Sequence, residues 1–314
     1  MAEKAHQAGV ELFVLDDGWF GKRNNDTCSL GDWKVNYDKL PSGIDGLAEK
    51  INKIGMKFGL WFEPEMISPD SDLYREHPDW AIHIDEREGV QSRNQMVLDL
   101  SRDEVCEYVI NAVSDILANA NIEYVKWDMN RQLTDMPRLG YNHEYTLGYY
   151  KIMSAITEKF PNILFEGCSA GGGRFDAGVL AYMPQIWTSD NSDAIARLKM
   201  QYSTSMCYPV YSISSHVTAS PNHQCGRDTS LKTRADVAYC GTFGYELDVT
   251  KMSDEEFEEI KAQIKFEKRI QDLMCNGDLY RLINPYETNY CSWEVVSKDK
   301  KHIFVMACKV LAVA

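Results

Sequence analysis

The sequence predicts an α/β fold, a (β/α)8 TIM barrel lacking its first strand and followed by the start of a C-terminal β-sandwich. Short β-branched or aromatic runs alternate with longer amphipathic segments, the pattern of repeated βα units around a parallel sheet. These runs end in polar, acidic, Gly or Cys residues, and the C-terminal strand ends are where such a barrel keeps its active site. After residue 277 the pattern changes to alternating strands, which marks a second domain.

The chain opens with a helix over 2–8, for which Gly9 supplies the C-cap. Seven strands are expected, over residues 11–16, 57–62, 124–128, 163–166, 185–189, 210–214 and 243–247. Helices are expected over 45–54, 103–119, 143–159, 192–206 and 253–274, the last opened by the capping box Ser253-Asp254-Glu255-Glu256. A strand should precede the first helix, so the chain is read as beginning inside the first βα unit of an eight-stranded barrel. The segment 279–285 then leads into strands over 291–296 and 302–307. The expected domains are 1–277, the catalytic barrel, and 278–314, the opening of the sandwich. Internal repeats and low-complexity segments are not evident.

At 314 residues, 44% hydrophobic and 25% charged, the chain can bury a sizeable core, which excludes disordered and collagen-like classes. Lys and Arg number 33 against 47 Asp and Glu, and the resulting charge of −14 disfavours nucleic acid and anionic membrane as partners. A neutral substrate fits better. Nine scattered cysteines without CxxC spacing suggest neither a disulfide framework nor a zinc site. With no signal-peptide pattern at 1–7 and no apolar stretch long enough to span a bilayer, a reducing, cytoplasmic location is expected. The apolar stretch 303–314 reads as a strand.

The candidate chemistry lies at the strand ends. The first ends Asp16-Asp17-Gly18-Trp19, where paired carboxylates beside an indole suit sugar hydroxyls and sugar C–H faces, although an Asp-Gly turn explains the motif equally well. The second carries Trp61, Glu63 and Glu65; a metal site there is a weak reading, because no histidine follows at ligand spacing. In Lys126-Trp127-Asp128-Met129-Asn130-Arg131, alternation puts Lys126, Asp128 and Asn130 on one polar face, and positive neighbours favour the anionic Asp128 that a nucleophile needs. A salt bridge is the weaker alternative.

Cys168, with no histidine at a fixed spacing, reads as a small buried residue, while Gly171 to Gly173 let backbone amides approach a ligand. In Trp187-Thr188-Ser189-Asp190-Asn191-Ser192-Asp193, Asp190 faces the cavity and Asp193 or Ser192 caps the next helix. Asp128 and Asp190 thus supply the two carboxylates that glycoside hydrolysis requires, one attacking the anomeric carbon and the other serving as acid and base.

The series DDGWFG, GLWFEPEM, SRNQMVLDLS, KWDMNR, CSAGGGRFD and WTSDNSD, in this order, resembles the α-galactosidases of glycoside hydrolase family 36. The resemblance implies a retaining enzyme without cofactor or metal that releases terminal α-linked galactose from melibiose and raffinose-type oligosaccharides. By it, Asp128 is the nucleophile and Asp190 the general acid/base. Asp16 and Asp17 bind galactose hydroxyls, Arg93, Lys126, Asn130, Cys168 and Gly171 complete the sugar contacts, and Trp61 lines the site. Family members commonly form homo-oligomers. They also carry a β-sandwich ahead of the barrel and a pocket Trp on the first barrel strand, neither of which is matched here, so weak or absent activity is expected of this chain alone. The alternatives are a raffinose-synthase-like galactosyl transferase, a non-catalytic sugar-binding fragment, and a metal-dependent hydrolase using Glu63, Glu65 and His216.

Overall fold

The structure is a computed structural model and describes residues 1–87 and 89–311. Its strands are β1 Leu12–Leu15, β2 Lys57–Phe62, β3 Met66–Ile67, β4 Met96–Val97, β5 Tyr124–Trp127, β6 Leu164–Gly167, β7 Gln185–Trp187, β8 Ile213–Thr218, β9 Thr242–Glu246, β10 Asp278–Ile283, β11 Tyr290–Val296 and β12 Ile303–Lys309. Its helices are α1 Ala2–Ala8, α2 Gly43–Lys53, α3 Asp72–Glu76, α4 Asp103–Asn119, α5 Tyr141–Lys159, α6 Ala177–Leu180, α7 Ala194–Thr204, α8 Leu231–Ala238 and α9 Asp254–Asn276. The class is α/β, and the chain forms two compact units, Glu11–Pro184 and Met1–Val10 with the residues from Gln185 onward. Among the described residues no helix is long and apolar enough to cross a membrane.

In the unit Glu11–Pro184, β1, β2, β5 and β6 pair side by side, all parallel. β2 is buried from Phe58 to Phe62, as expected of a parallel strand covered on both faces. Gly59 sits where a Cβ would stand 3.0 Å from both Val14 on β1 and Tyr124 on β5, so the neighbouring side chains fill its place. α4 buries Val105, Val109, Val113 and Leu117, a four-residue spacing that makes one apolar stripe. α5 approaches the Leu100 backbone so closely at Gly148 that a Cβ there would fall 1.8 Å from the carbonyl oxygen.

In the other unit, β7, β8 and β9 are parallel neighbours, and β10, β11 and β12 form an antiparallel sheet. Cys291, Trp293 and Met306 from that antiparallel sheet share a core with Leu198 and Tyr202 of α7 and Val237 of α8. α1 ends at Gly9 in the left-handed region, φ 99°, as the sequence predicts. The capping box of α9 is formed in both directions between Ser253 and Glu256.

One expectation needs correction, and some elements were not expected. The strand expected over 210–214 is displaced: residues Val210–Ser212 form a 3-10 turn, because the Ser212 N–H closes back on the Pro209 carbonyl at 3.0 Å, and β8 starts only at Ile213. Its Ser-Ser-His interior hid it from a search for apolar runs. The helix α8 was not expected either, since four of its eight residues are polar and only Leu231, Ala235, Val237 and Ala238 are buried. The antiparallel pair of β3 and β4 is too short to leave a periodic signal. Of the strand expected over 303–314, residues 312–314 lie outside the described residues.

Candidate functional site

Asp128 follows β5 directly and is anchored by its own N–H on the Phe62 carbonyl of β2 at 2.7 Å. Its side chain is 7% exposed and held by converging donors. Oδ1 accepts the Met129 backbone N–H at 2.8 Å, and Oδ2 accepts the Asn130 side-chain amide at 2.7 Å and the Trp61 indole N–H at 3.2 Å. Cys168, buried just past β6, lies near enough to feel the charge of the same carboxylate. Burial, then the Asp128 charge, pushes its thiol well above its ordinary range, so it stays protonated and is not a thiolate.

Trp61 is itself fixed, its carbonyl accepting the Trp19 indole N–H at 2.9 Å within a cluster of Trp19, Phe20, Trp33 and Phe62. Lys126, on β5, has its Nζ 4.0 Å from Asp16 Oδ2. Burial works against its charge, but Asp16, Glu166 and Asp128 outweigh that effect and hold the ammonium above its usual range. Asp16 also accepts the Asp17 N–H at 2.8 Å. Asp17 faces Arg23, which grips both of its oxygens through Nε at 3.1 Å and Oδ2 through Nη2 at 2.8 Å. Arg23 was not singled out in the sequence; its only signal is a basic residue six positions after an acid.

Arg93 stands on an exposed turn in which Ser92 and Gln95 exchange both backbone hydrogen bonds. Arg93 and Asn94 have φ of 52° and 60°, the left-handed pair of a tight hairpin turn. Gly171, φ 89°, follows Ala170, φ 46°, and its carbonyl accepts the Ser169 N–H at 2.7 Å. So the unit Glu11–Pro184 gathers Trp61, Lys126, Asn130 and Cys168 about Asp128, with Asp16 against Lys126.

Two buried glutamates behave differently from the metal reading. Both oxygens of Glu65 are committed: Trp127 Nε1 donates at 2.8 Å, Tyr145 Oη at 2.7 Å, and Arg174 donates twice, at 2.7 and 2.9 Å. Glu65 is therefore a structural anchor. Glu63, 2% exposed, accepts the Asn130 N–H and, at 3.0 Å, the Gln95 side-chain amide. Burial first, then the Asp128 charge, pushes its carboxyl up to about 8, against the pull of Asn130 and Arg93.

In the other unit, Asp190 follows β7, and its Oδ1 accepts the Trp187 indole N–H at 3.0 Å. Arg197 lies over the Trp187 ring and binds the carbonyls of Ser189, Asn191 and Ser214, which fixes the loop carrying Asp190. Asp193 caps α7, accepting the Ala196 N–H at 2.9 Å, and its same oxygen is 2.8 Å from Arg227 Nη1. The division expected between Asp190 and Asp193 holds for the cap. Arg197 and Arg227 left no trace in the sequence motifs, because each acts on residues brought near by folding.

Chemically, the first unit presents a fixed carboxylate ringed by neutral donors beside a cation, and the second presents an acid oriented by an indole. Residues 1–277 match the family described as Melibiase. The chain is 52% identical over its full length to alpha-galactosidase AgaA of Geobacillus stearothermophilus, of which it covers 44%. It is 48% identical to Mel36A of Lactobacillus acidophilus, covering 99% of this chain and 44% of that protein. Among solved structures, GH36 alpha-galactosidase AgaA from G. stearothermophilus superposes with a TM-score of 0.96 at 53% identity, covering 100% of this chain and 45% of that one. The galactosidase domain of the alpha-galactosidase-sucrose kinase AgaSK superposes with a TM-score of 0.98 at 48% identity, covering 100% and 44%. Variants of AgaA have been solved in complex with raffinose and with stachyose. The chain thus spans less than half the length of these relatives.

Proposed function

Because this chain belongs to the Melibiase family, we propose that it carries the catalytic centre of a retaining α-galactosidase acting on terminal α-linked galactose in melibiose and raffinose-type oligosaccharides. The observation that carries the reading is the Asp128 carboxylate, held by Trp61, Asn130 and Met129. A nucleophile must keep its charge in a dry site and must not rotate, and these donors supply both conditions.

In the proposed double displacement, Asp128 attacks the anomeric carbon as Asp190 protonates the departing glycosidic oxygen. Asp190 then removes a proton from water, which attacks the glycosyl ester and frees Asp128. Lys126 and Asp16, paired at 4.0 Å, are assigned to the sugar hydroxyls together with Asp17, Arg93 and Gly171, and Trp61 walls the site. The reading takes the seven parallel strands as members of one (β/α)8 barrel over 1–277, with 278–314 opening a β-sandwich. It includes a cytoplasmic, homo-oligomeric protein.

The test uses p-nitrophenyl α-galactoside. Asp128→Ala is expected to lower kcat by at least about 10⁴-fold, the order typical of removing a catalytic nucleophile, while the circular dichroism spectrum stays that of the parent. Turnover at the parental rate by the folded variant would move the nucleophile elsewhere. Proton NMR of the first sugar product, α before mutarotation, checks retention.

A further inference from the structure

Glu63 is enclosed just past β2, and the double displacement leaves it without a task. Yet it stands in contact with the residue that orients the nucleophile. Its Oε1 accepts the Asn130 backbone N–H and, from the opposite side, the Gln95 amide at 3.0 Å. The Asn130 side-chain amide in turn donates to Asp128 Oδ2 at 2.7 Å. One peptide, two residues beyond the nucleophile, is therefore pinned by a carboxyl from a different strand.

We propose that Glu63 is a positioning residue for Asp128: it fixes Asn130 by its backbone N–H, so that the Asn130 side-chain amide sets the rotation of the attacking carboxylate. This rests on the reading of Asp128 as the nucleophile. The charges facing Glu63 are Asp128, which follows β5, and Arg93, on the exposed turn. A second buried anion beside Asp128 would oppose it, and burial together with that repulsion keeps Glu63 protonated near neutral pH. A neutral acid can hold the Asn130 N–H without competing for the positive charge at the anomeric centre. A mere space-filler would not need two amide groups converging on one oxygen.

The experiment compares the parent chain with Glu63→Gln and Glu63→Ala. In asparagine-labelled ¹⁵N spectra, the backbone and side-chain signals of Asn130 are expected to titrate together in the parent, with a midpoint of about 8. In Glu63→Gln they keep their positions and lose that titration. In Glu63→Ala the backbone signal moves upfield and the side-chain signals move with it. In hydrolysis of p-nitrophenyl α-galactoside, Glu63→Ala is expected to lose about tenfold or more in kcat with KM within about threefold, as misorientation of a reacting group does, and Glu63→Gln to recover most of the loss. Asn130 side-chain signals indifferent to both variants, or equal kcat in the two, would overturn the proposal. If instead Asp128→Ala keeps the parental rate, the assignment of the nucleophile fails, and the Asn130 spectra still decide whether Glu63 holds Asn130.

Discussion

At the residue scale, the site is governed by which charges are compensated and which are suppressed. Asp128 is surrounded by N–H donors and by the Lys126 ammonium, so its negative charge is stabilised where it is needed. Glu63, just past the neighbouring strand β2, has its charge suppressed, and this difference has a measurable effect on stability. Its carboxyl rises from an ordinary 4.5 to about 8 on folding. Between those values the folded protein holds a proton that the unfolded chain has released, so this group's contribution to stability is complete below about 4.5 and is lost as pH rises to about 8. Glu63→Gln removes that dependence. The variant's urea midpoint, relative to the parent, should be higher at pH 7.5 than at pH 4.5, and a difference independent of pH would show that Glu63 does not carry the proton.

At the element scale, strands and helices are locked by a few contacts that leave little latitude. Arg174, past β6, and Tyr145, on α5, both close on Glu65, past β2, and Arg174 also lies over the Tyr149 ring at 4.4 Å. Removing the buried anion strands a guanidinium, so Glu65→Ala should cost about 3–5 kcal/mol in equilibrium unfolding. A loss below about 1 kcal/mol would mean that water reaches Arg174. Gly148 is a second fixed point. The Leu100 carbonyl leaves no space for a methyl group, and it is backbone, which cannot swing aside. Gly148→Ala should therefore destabilise by about 1–3 kcal/mol despite the better helix propensity of alanine, as the urea midpoint will register.

At the scale of the whole molecule, stability comes from cores and polar networks without covalent cross-links. All nine cysteines are free thiols, although Cys291 and Cys308 face each other across β11 and β12. Burial pushes the Cys291 thiol up to about 12, which keeps it protonated and slow to exchange. Freshly purified protein should therefore melt at the same temperature with and without dithiothreitol. A lower midpoint in reductant would reveal a bridge.

Legible from the residue order alone were the α/β class, the seven parallel strands to within a few residues except the displaced β8, the caps at Gly9, Asp193 and Ser253, and the acids that end β1, β5 and β7. These are short-range matters, set by apolar alternation, by backbone freedom at glycine and by side chains bonding to amides two or three residues away. Folding was needed to reveal that Asp17 belongs to Arg23, that Glu65 is an anchor and that Glu63 holds Asn130. It also decided that a polar segment is the strand β8 and another the helix α8. The physical reason is that a carboxyl group's role follows from its burial and its partners. Asn130 lies 67 residues from Glu63, and Arg174 lies 109 residues from Glu65.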